Sequence, residues 1–409
     1  MKKKYILILI ILLIPFAVMA QEFGLVLNQY ADLGSREAND VYFEYNAQLV
    51  PRFLLLFDDT NPESNFLGSF FISAGMTLGY SEKFVYVPEL LRTELAMQWG
   101  GLGLSAGRFV YTTPLAFLAD GLYDGVKVSY SSGLGHFSFN AFYTGFLYKK
   151  NAYIEMTDND RTINSNAFAY SDFLNTYFAP PRVMASFDWE HLAIADILRM
   201  NAALTAQFDL TNSVTRYHSQ YLTFKMGLPY NSFFFELGLI LSLSQTGSNN
   251  DMNTALAGEF GVYWALPTSY NSRLSLNAQY ASGKTGSLFE SFIPINTKNP
   301  GDIFQARMTA LTVFDLAYRA RYTDQLGVHI SAKYFMQNDL FTINNFSIAG
   351  EQNNGHFLGP ELFAALSFSP LSDLYFNFGG GLFLPALGNN WTSSDPIWLI
   401  KLAVIFTVY

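Results

Sequence analysis

The sequence predicts an all-β protein, a transmembrane antiparallel up-and-down barrel of about 16 to 18 strands. The composition is membrane-like, since 50% of the 409 residues are hydrophobic and only 14% are charged, against about a quarter in ordinary soluble domains. After the amino-terminal segment, no apolar run reaches the roughly 20 residues that a membrane-spanning helix needs. Several segments alternate apolar and polar side chains. Because only helices and closed barrels satisfy their backbone hydrogen bonds inside lipid, these observations favour the barrel.

The amino terminus indicates a secretory signal peptide. Three lysines precede an apolar run from Tyr5 to about Ala17, and the small residues Val18 and Ala20 flank a signal-peptidase cleavage position. The run is short for a membrane anchor, the alternative interpretation. We therefore expect residues 1–20 to be removed and 21–409 to form one barrel domain with long external loops. The chain has no cysteine, which excludes disulfides and thiolate metal sites, and we expect no cofactor.

Alternation is longest from Ile303 to Tyr322. Its even positions are mostly apolar, including Phe304 and Phe314, whereas its odd positions include Arg307 and Asp315. Such a segment can present one face to lipid and the other to water. Further alternating segments are 42–52, 90–99, 232–244, 273–283 and 326–337.

A soluble β-sandwich also alternates, but its strands average about 5 to 6 residues. The segments here are longer, and aromatic residues lie near their ends, as in the aromatic girdles of membrane barrels. These aromatic residues are Trp99, Tyr263, Trp264, Tyr280, Tyr318 and Trp398.

The connections between segments alternate in length, which is typical of a barrel with turns at one end and loops at the other. Counting back from Tyr409 gives about 18 strands, with 16 as the alternative. The apolar tail from Trp398 to Tyr409 is then the closing strand, paired to the first so that no edge remains. Short turns fall at 131–133, 229–231, 267–271, 322–325 and 370–373, and longer connections at about 111–121, 148–181, 245–253, 284–302, 338–357 and 385–396.

With these features, the chain resembles the outer-membrane β-barrel proteins of Gram-negative-type bacteria, and among them the porins. The resemblance is architectural. It implies an integral multi-pass protein of the bacterial outer membrane, in contact with its lipid and inserted by the barrel-assembly machinery, which reads a terminal aromatic residue such as Tyr409. Family members tend to carry another aromatic residue two positions earlier, where this chain has Thr407. The resemblance also implies a water-filled channel for passive diffusion of small hydrophilic solutes, and leaves monomer or homo-oligomer open.

Charged side chains fall on the predicted inward face of many strands. Such charges require water in the lumen, because unpaired ions are costly to bury. The alternative is that they pair across the lumen and fill it. Their signs are balanced, so we expect no strong ion preference. The predicted pore-lining residues are Arg52, Arg92, Glu94, Lys127, Arg273, Arg307, Asp315, Arg319, Lys333 and Glu361.

A constriction is expected from the third external loop, as the resemblance to porins implies. By the strand count this loop is Thr112 to Gly121, which is too apolar for a solvated tip. An ordinary short loop is the alternative. The aromatic segment 148–181 is a rival plug, or a surface for stacking sugars or hydrophobic ligands. The constriction candidates are Arg108, Pro114, Phe117, Asp120 and Asp124.

Other functions lack their sequence features. The five histidines are scattered without a nucleophile or base signature, so we expect no enzyme. The sequence has no basic stripe of the kind that indicates nucleic-acid binding. A transporter for hydrophobic ligands usually carries an amino-terminal plug segment, which is missing before the first predicted strand. It stays an alternative, together with an adhesin or structural barrel whose lumen is occluded.

Overall fold

The structure is a computed structural model, and it describes residues 21–37, 40–58, 66–81, 84–212, 216–247, 252–284, 289–296, 298–340, 355–389, 391 and 395–408. The expected signal peptide at 1–20 and the expected assembly signal at Tyr409 lie outside the described residues.

The described strands form one antiparallel 18-stranded sheet that closes on itself. Each strand pairs with its neighbours in sequence, and β1 also pairs with β18 from Leu25↔Val408 to Gly34↔Leu399. The predicted up-and-down barrel and its closing strand are confirmed, with 18 strands rather than 16. The strands are β1 (Gln21–Glu37), β2 (Asp40–Asp58), β3 (Phe66–Tyr80), β4 (Phe84–Trp99), β5 (Leu102–Thr112), β6 (Asp120–Ser132), β7 (Gly135–Tyr143), β8 (Arg182–Ile194), β9 (Leu198–Asp209), β10 (Tyr217–Tyr230), β11 (Phe233–Thr246), β12 (Met252–Ala265), β13 (Arg273–Ala281), β14 (Leu311–Arg321), β15 (Leu326–Gln337), β16 (Phe357–Leu371), β17 (Leu374–Phe383) and β18 (Ile397–Val408).

The outer surface of the barrel is an apolar belt. Large apolar side chains alternate along the strands and stay exposed because they point away from the lumen, as in a barrel that spans a membrane. Trp99 and Trp264 lie at the ends of their strands, 44% and 37% exposed. Tyr263 does not belong to this girdle, because its hydroxyl donates to Glu236 at 2.9 Å inside the barrel. Examples of the belt are Phe187, Leu204, Leu239, Phe260, Leu276 and Leu366.

The two ends of the barrel differ, as the alternating connections predict. One end, which we call the turn rim, carries the short turns at 100–101, 133–134, 231–232, 322–325 and 372–373. The opposite end, the loop rim, carries the longer connections from β5 onward, whereas only two residues separate β1 from β2 and three separate β3 from β4 at that end. Three of these matter for the site: loop A (113–119), loop B (144–181) and loop C (282–310).

Loop B contains short helices, namely α1 (Lys149–Ala152), α2 (Asp158–Ser165) and α3 (Phe173–Tyr177). A capping box begins α2, since Thr157 Oγ1 accepts from the Asp160 amide at 3.2 Å and the Asp160 carboxylate accepts from the Thr157 amide at 2.9 Å. No helix among the described residues is long and apolar enough to cross a bilayer.

The predicted strand from Ile303 to Tyr322 is wrong in its first half. Strand β14 covers Leu311–Arg321 only, and Ala310 breaks the extended backbone with φ 48°. Before that break the chain lies inside the barrel, where Phe304 and Met308 are each 1% exposed. The alternation misled because an apolar patch of the inner wall can bury alternate side chains as lipid does.

Candidate functional site

Loop A folds into the lumen and rests against the opposite wall. Leu115 and Leu118 are fully buried. The Leu115 methyl groups occupy the space beside Gly238 of β11, where a Cβ would lie only 2.8 Å from them. The Phe117 ring meets Phe292 of loop C edge-on, with centroids 6.2 Å apart. Leu115 of this apolar loop therefore packs against the inner wall.

Asn296 of loop C joins the three loops. The Leu118 carbonyl of loop A accepts from the amides of Ile295 and Asn296 at 2.8 and 3.3 Å. The Asn296 side chain accepts from the Tyr123 hydroxyl and donates to the Ala152 carbonyl of loop B at 2.6 Å. The loops therefore form one connected body inside the barrel.

Glu361 of β16 fixes loop C to the wall. Its side chain is fully buried, and its carboxylate accepts from three consecutive backbone amides, those of Asp302, Ile303 and Phe304, at 2.8, 2.9 and 2.7 Å. Lys333 of β15 donates to Asp302 Oδ2 at 2.6 Å, and Lys401 of β18 donates to the Asp302 carbonyl at 2.9 Å. Two predicted pore-lining residues, Lys333 and Glu361, thus hold a loop that narrows the lumen.

An aromatic stack completes this attachment. The Phe304 ring lies parallel to Phe383 of β17, with centroids 4.4 Å apart. It also contacts Phe335 and Trp391 edge-on at 5.0 and 6.0 Å. These contacts give the buried polar bonds of Glu361 an apolar surrounding from which water is excluded.

Arg182 of β8 fixes loop B to the wall. Its guanidinium lies 2.5 Å from the Asp160 carboxylate of α2 and 3.3 Å from that of Asp209, and all three side chains are buried. Burial raises the pKa of the Asp160 carboxyl, and the neighbouring Arg182 acts in the opposite direction. The sequence interpretation did not include Arg182, because nothing in the alternation separates it from other inward arginines.

No protein-family profile and no curated protein matches this sequence. Solved structures do match. A BenF-like porin from Pseudomonas fluorescens Pf-5 is 8% identical with a TM-score of 0.62, and the match covers 95% of this chain and 98% of that chain. This chain has the fold of an outer-membrane porin. Two Pseudomonas aeruginosa structures agree over 95% of this chain and 98% of theirs: OccK2 in complex with glucuronate, at 9% identity and TM-score 0.61, and OpdK with vanillate, at 9% and 0.60.

In this porin fold, the predicted pore-lining residue Arg307 lies in loop C and not on a strand. Its guanidinium pairs with the Glu155 carboxylate of loop B and donates to the Glu155 carbonyl at 3.1 Å. Burial lowers the pKa of Arg307, and Glu155 opposes that effect. A cavity of about 520 Å³ lies here between loops B and C, and Lys150, Tyr153 and Arg161 also line it.

The other predicted pore-lining residues lie on strands. Arg92 Nε donates to Glu94 at 2.9 Å, Arg52 lies over Gly24 of β1, and Asp315 lies opposite Lys333 in the register of β14 and β15. Lys127 lines a cavity of about 550 Å³ together with Glu94.

Arg273 and Arg319 lie side by side near the turn rim. The two residues face each other directly in the register of β13 and β14. The Arg273 guanidinium lies 5.2 Å from the centroid of the Tyr263 ring, and His329 lies opposite Arg319 on the next strand. Among the described residues, neither arginine has a carboxylate within salt-bridge distance. This pair is therefore a local excess of positive charge.

The constriction candidates separate in the structure. Pro114 and Phe117 belong to loop A inside the lumen, and Asp120 pairs with Lys298 at the loop rim. Arg108 and Asp124 lie elsewhere than expected. Arg108 donates to the Asp124 carboxylate at 2.8 and 2.7 Å and shares the outward alternation of Val110, which is 58% exposed. This ion pair therefore lies in the barrel wall, where the backbone carbonyls of Leu90 and Phe146 also accept from Arg108.

Proposed function

We propose that this protein is a porin of the bacterial outer membrane, a water-filled channel for passive diffusion of small hydrophilic solutes. One observation carries the proposal: charged side chains on the inward face of a closed barrel keep contact with solvent. Arg92 is an example, with 43% of its side chain exposed. Such charges require water around them, and a barrel of about 18 strands is wide enough to hold it.

Loops A, B and C are the proposed constriction of this channel. All three fold inward from the loop rim, which in an outer-membrane barrel faces outside. Loop B thereby takes the role of a partner to loop A rather than of a separate cap. The predicted wall residues Arg52, Lys127, Arg273 and Arg319 then line the water-filled space on the turn-rim side.

We further propose that the channel favours small anions. The sequence predicts a lumen of balanced charge, but in the structure several carboxylates are each paired with a neighbouring cation. Glu94, for example, pairs with Arg92, and Glu155 pairs with Arg307. Arg273 and Arg319 keep their charge available. Two of the structurally similar porins were solved with vanillate and with glucuronate, both carboxylates, which agrees with an anionic solute.

Three further points belong to the proposal. The porin fold supports transport rather than catalysis, so we propose that the protein is not an enzyme. Insertion by the barrel-assembly machinery through the strand ending at Tyr409 stays a prediction. So does the choice between monomer and homo-oligomer.

Replacing Arg273 and Arg319 together by glutamine should slow entry of glucuronate into liposomes by about threefold or more and leave glucose entry unchanged. The reason is that fixed positive charge raises the local concentration of an anion and not of a neutral sugar. Liposome swelling with the two solutes measures both rates. Lys284→Gln is the control, since this lysine is exposed and pairs with Glu290 at 3.4 Å. Equal rates of glucuronate entry in the wild type and the double variant would contradict the anion preference.

A further inference from the structure

The barrel wall is open between β4 and β5 near the loop rim. These strands pair only from Thr93↔Arg108 to Trp99↔Leu102. Above that point β4 continues to Phe84 with β3 as its neighbour, and β5 continues to Thr112 with β6 as its neighbour. Each strand therefore has one unpaired side. We call this opening the seam. Unpaired backbone at lipid depth is costly unless other groups satisfy it.

Side chains replace the missing strand pairing along β4. The Tyr170 hydroxyl donates to the Tyr86 carbonyl at 2.9 Å, and the Tyr177 hydroxyl donates to the Pro88 carbonyl at 2.8 Å. Arg108 donates to the Leu90 carbonyl. The three acceptors are alternate residues, so their carbonyls point to the same side of β4.

Pro88 shows that the opening is built into the sequence. It lacks the amide hydrogen that a neighbouring strand would need, and proline is largely confined to strand edges for that reason. A fully paired wall is therefore disfavoured at this position of β4, and hydroxyl donors from loop B satisfy its carbonyl instead.

An aromatic cluster of loop B fills the seam. The Tyr177 ring stacks on Phe173 at 4.6 Å and contacts Tyr148 at 4.9 Å. Side chains on the outward side are exposed and apolar: Phe84 is 63% and Val110 58% exposed. The seam thus lies at lipid depth, with loop B between the lipid and the lumen.

We propose that the seam is a lateral portal between the lumen and the lipid leaflet at the loop rim, and that loop B holds it closed. The proposal rests on the porin function proposed above. The seal consists of side-chain hydrogen bonds and ring contacts and not of a strand ladder. The two tyrosine hydroxyls contribute neutral hydrogen bonds, and Arg108 adds charged ones to the Leu90 carbonyl of β4 and the Phe146 carbonyl of loop B. Opening the seam breaks these few contacts, whereas separating a complete strand pair would break a whole ladder.

The groups that become exposed when loop B leaves the seam define the solute that fits there. They are the main-chain carbonyls of Tyr86 and Pro88, which lose the hydroxyl donors of Tyr170 and Tyr177, and the faces of the neighbouring aromatic rings. A small aromatic molecule with a hydroxyl donor would satisfy both, whereas a carboxylate would place negative charge against carbonyl oxygens. We therefore assign to the portal a phenol-type solute.

Cysteine labelling tests the portal, since the chain has no cysteine of its own. Val87→Cys places a thiol on the lumen side of the seam, at a residue 6% exposed. The matched control is Ser244→Cys, 8% exposed, near the loop-rim end of β11, where both neighbouring strands are paired. Each variant is refolded into liposomes and labelled with a lipid-dissolved pyrene maleimide and, separately, with a charged water-soluble maleimide.

Combining Val87→Cys with Tyr170→Phe and Tyr177→Phe should raise labelling by the lipid-dissolved reagent about tenfold, the scale expected from losing two neutral hydrogen bonds. Labelling of Ser244→Cys should not change in the same background. Added 4-methylphenol, which is the tyrosine side chain without its backbone, should slow the labelling of Val87→Cys by the lipid-dissolved maleimide. Added benzoate should not slow it.

The outcomes separate the claims. An unchanged lipid-phase rate at Val87→Cys in the tyrosine variants, with a normal heat-modifiable barrel, would overturn the portal. An equal rise at Ser244→Cys would do the same, because it indicates general loosening. Protection by benzoate and not by 4-methylphenol would overturn the assigned solute class. Failure of the porin function would show as loss of conductance, which this labelling does not measure.

Discussion

Glu361→Ala is expected to increase single-channel conductance about twofold or more, toward that of an unobstructed barrel of this strand number. The substitution removes the acceptor of three consecutive loop C amides. Hydrogen bonds to a charged group contribute about 1.5 to 3 kcal/mol each. Without them, loop C is held at this wall only by the Lys333 and Lys401 bonds to Asp302 and by the Phe304 stack, and its backbone is no longer fixed to β16. Planar-bilayer recording of the refolded variant measures the effect.

Glu361→Gln is the matched control. The amide oxygen of glutamine still accepts hydrogen bonds from the loop, although its NH₂ group faces other donors and the charge is lost. Its conductance should therefore lie between those of the wild type and Glu361→Ala. A folded Glu361→Ala channel with wild-type conductance would show that loop C does not narrow the pore.

Arg182→Met is expected to detach loop B from the wall. It leaves the carboxylates of Asp160 and Asp209 buried without their cation, a change that costs about 3 to 5 kcal/mol. Hydrogen exchange of the α2 amides should therefore rise by about 100-fold or more. Mass-spectrometric exchange on the refolded protein measures this for α2 and for the strands separately.

The same variant should show a pH dependence of defined sign. Burial already raises the pKa of Asp160, and removal of Arg182 removes the opposing effect. A carboxyl group whose pKa is higher in the docked state than in the undocked state stabilises docking below its undocked pKa, about 3.9. That stabilisation of docking is lost as the pH rises through the pKa that the carboxyl group has in the docked state. Protection of α2 in Arg182→Met should therefore increase from pH 7 toward pH 4.

Arg161→Gln is the control for this experiment. Arg161 pairs at 2.5 Å with Asp158, whose side chain is 88% exposed, and such surface pairs contribute about 0 to 1 kcal/mol. Hydrogen exchange of the α2 amides in Arg161→Gln should match that of the wild type. Wild-type protection of α2 in Arg182→Met at pH 7 would contradict the anchoring role of Arg182.

The wall of the barrel was predictable from sequence because one physical rule acts on every strand. Lipid on one side and water on the other impose a period of two residues, and the tail from Trp398 follows that rule as β18. The rule fails at 303–310, where apolar residues alternate but face an apolar part of the lumen wall. Alternation indicates that one face of a segment is covered by apolar surroundings, but it does not indicate whether lipid or protein covers that face.

The site was less predictable, because its contacts join residues far apart in the chain. Asn296 and Tyr123 are 173 positions apart, and Arg307 and Glu155 are 152 apart. The alternation predicts an inward charge at Glu361, but the partners of its carboxylate are backbone amides, which no residue pattern identifies. The prediction placed Arg108 and Asp124 at the constriction, whereas they lie in the barrel wall. The sequence shows the two charged residues but does not show the open seam beside them. Pro88, two residues before the alternating segment 90–99, was the available signal for that seam.

Single-channel conductance of residues 21–409, refolded and placed in a planar bilayer under a potassium chloride gradient, tests the central claim most directly. We expect stepwise, ohmic openings and a reversal potential on the anion-selective side, and a smaller reversal potential when Arg273 and Arg319 are replaced by glutamine. A refolded, heat-modifiable barrel that never conducts would contradict the account.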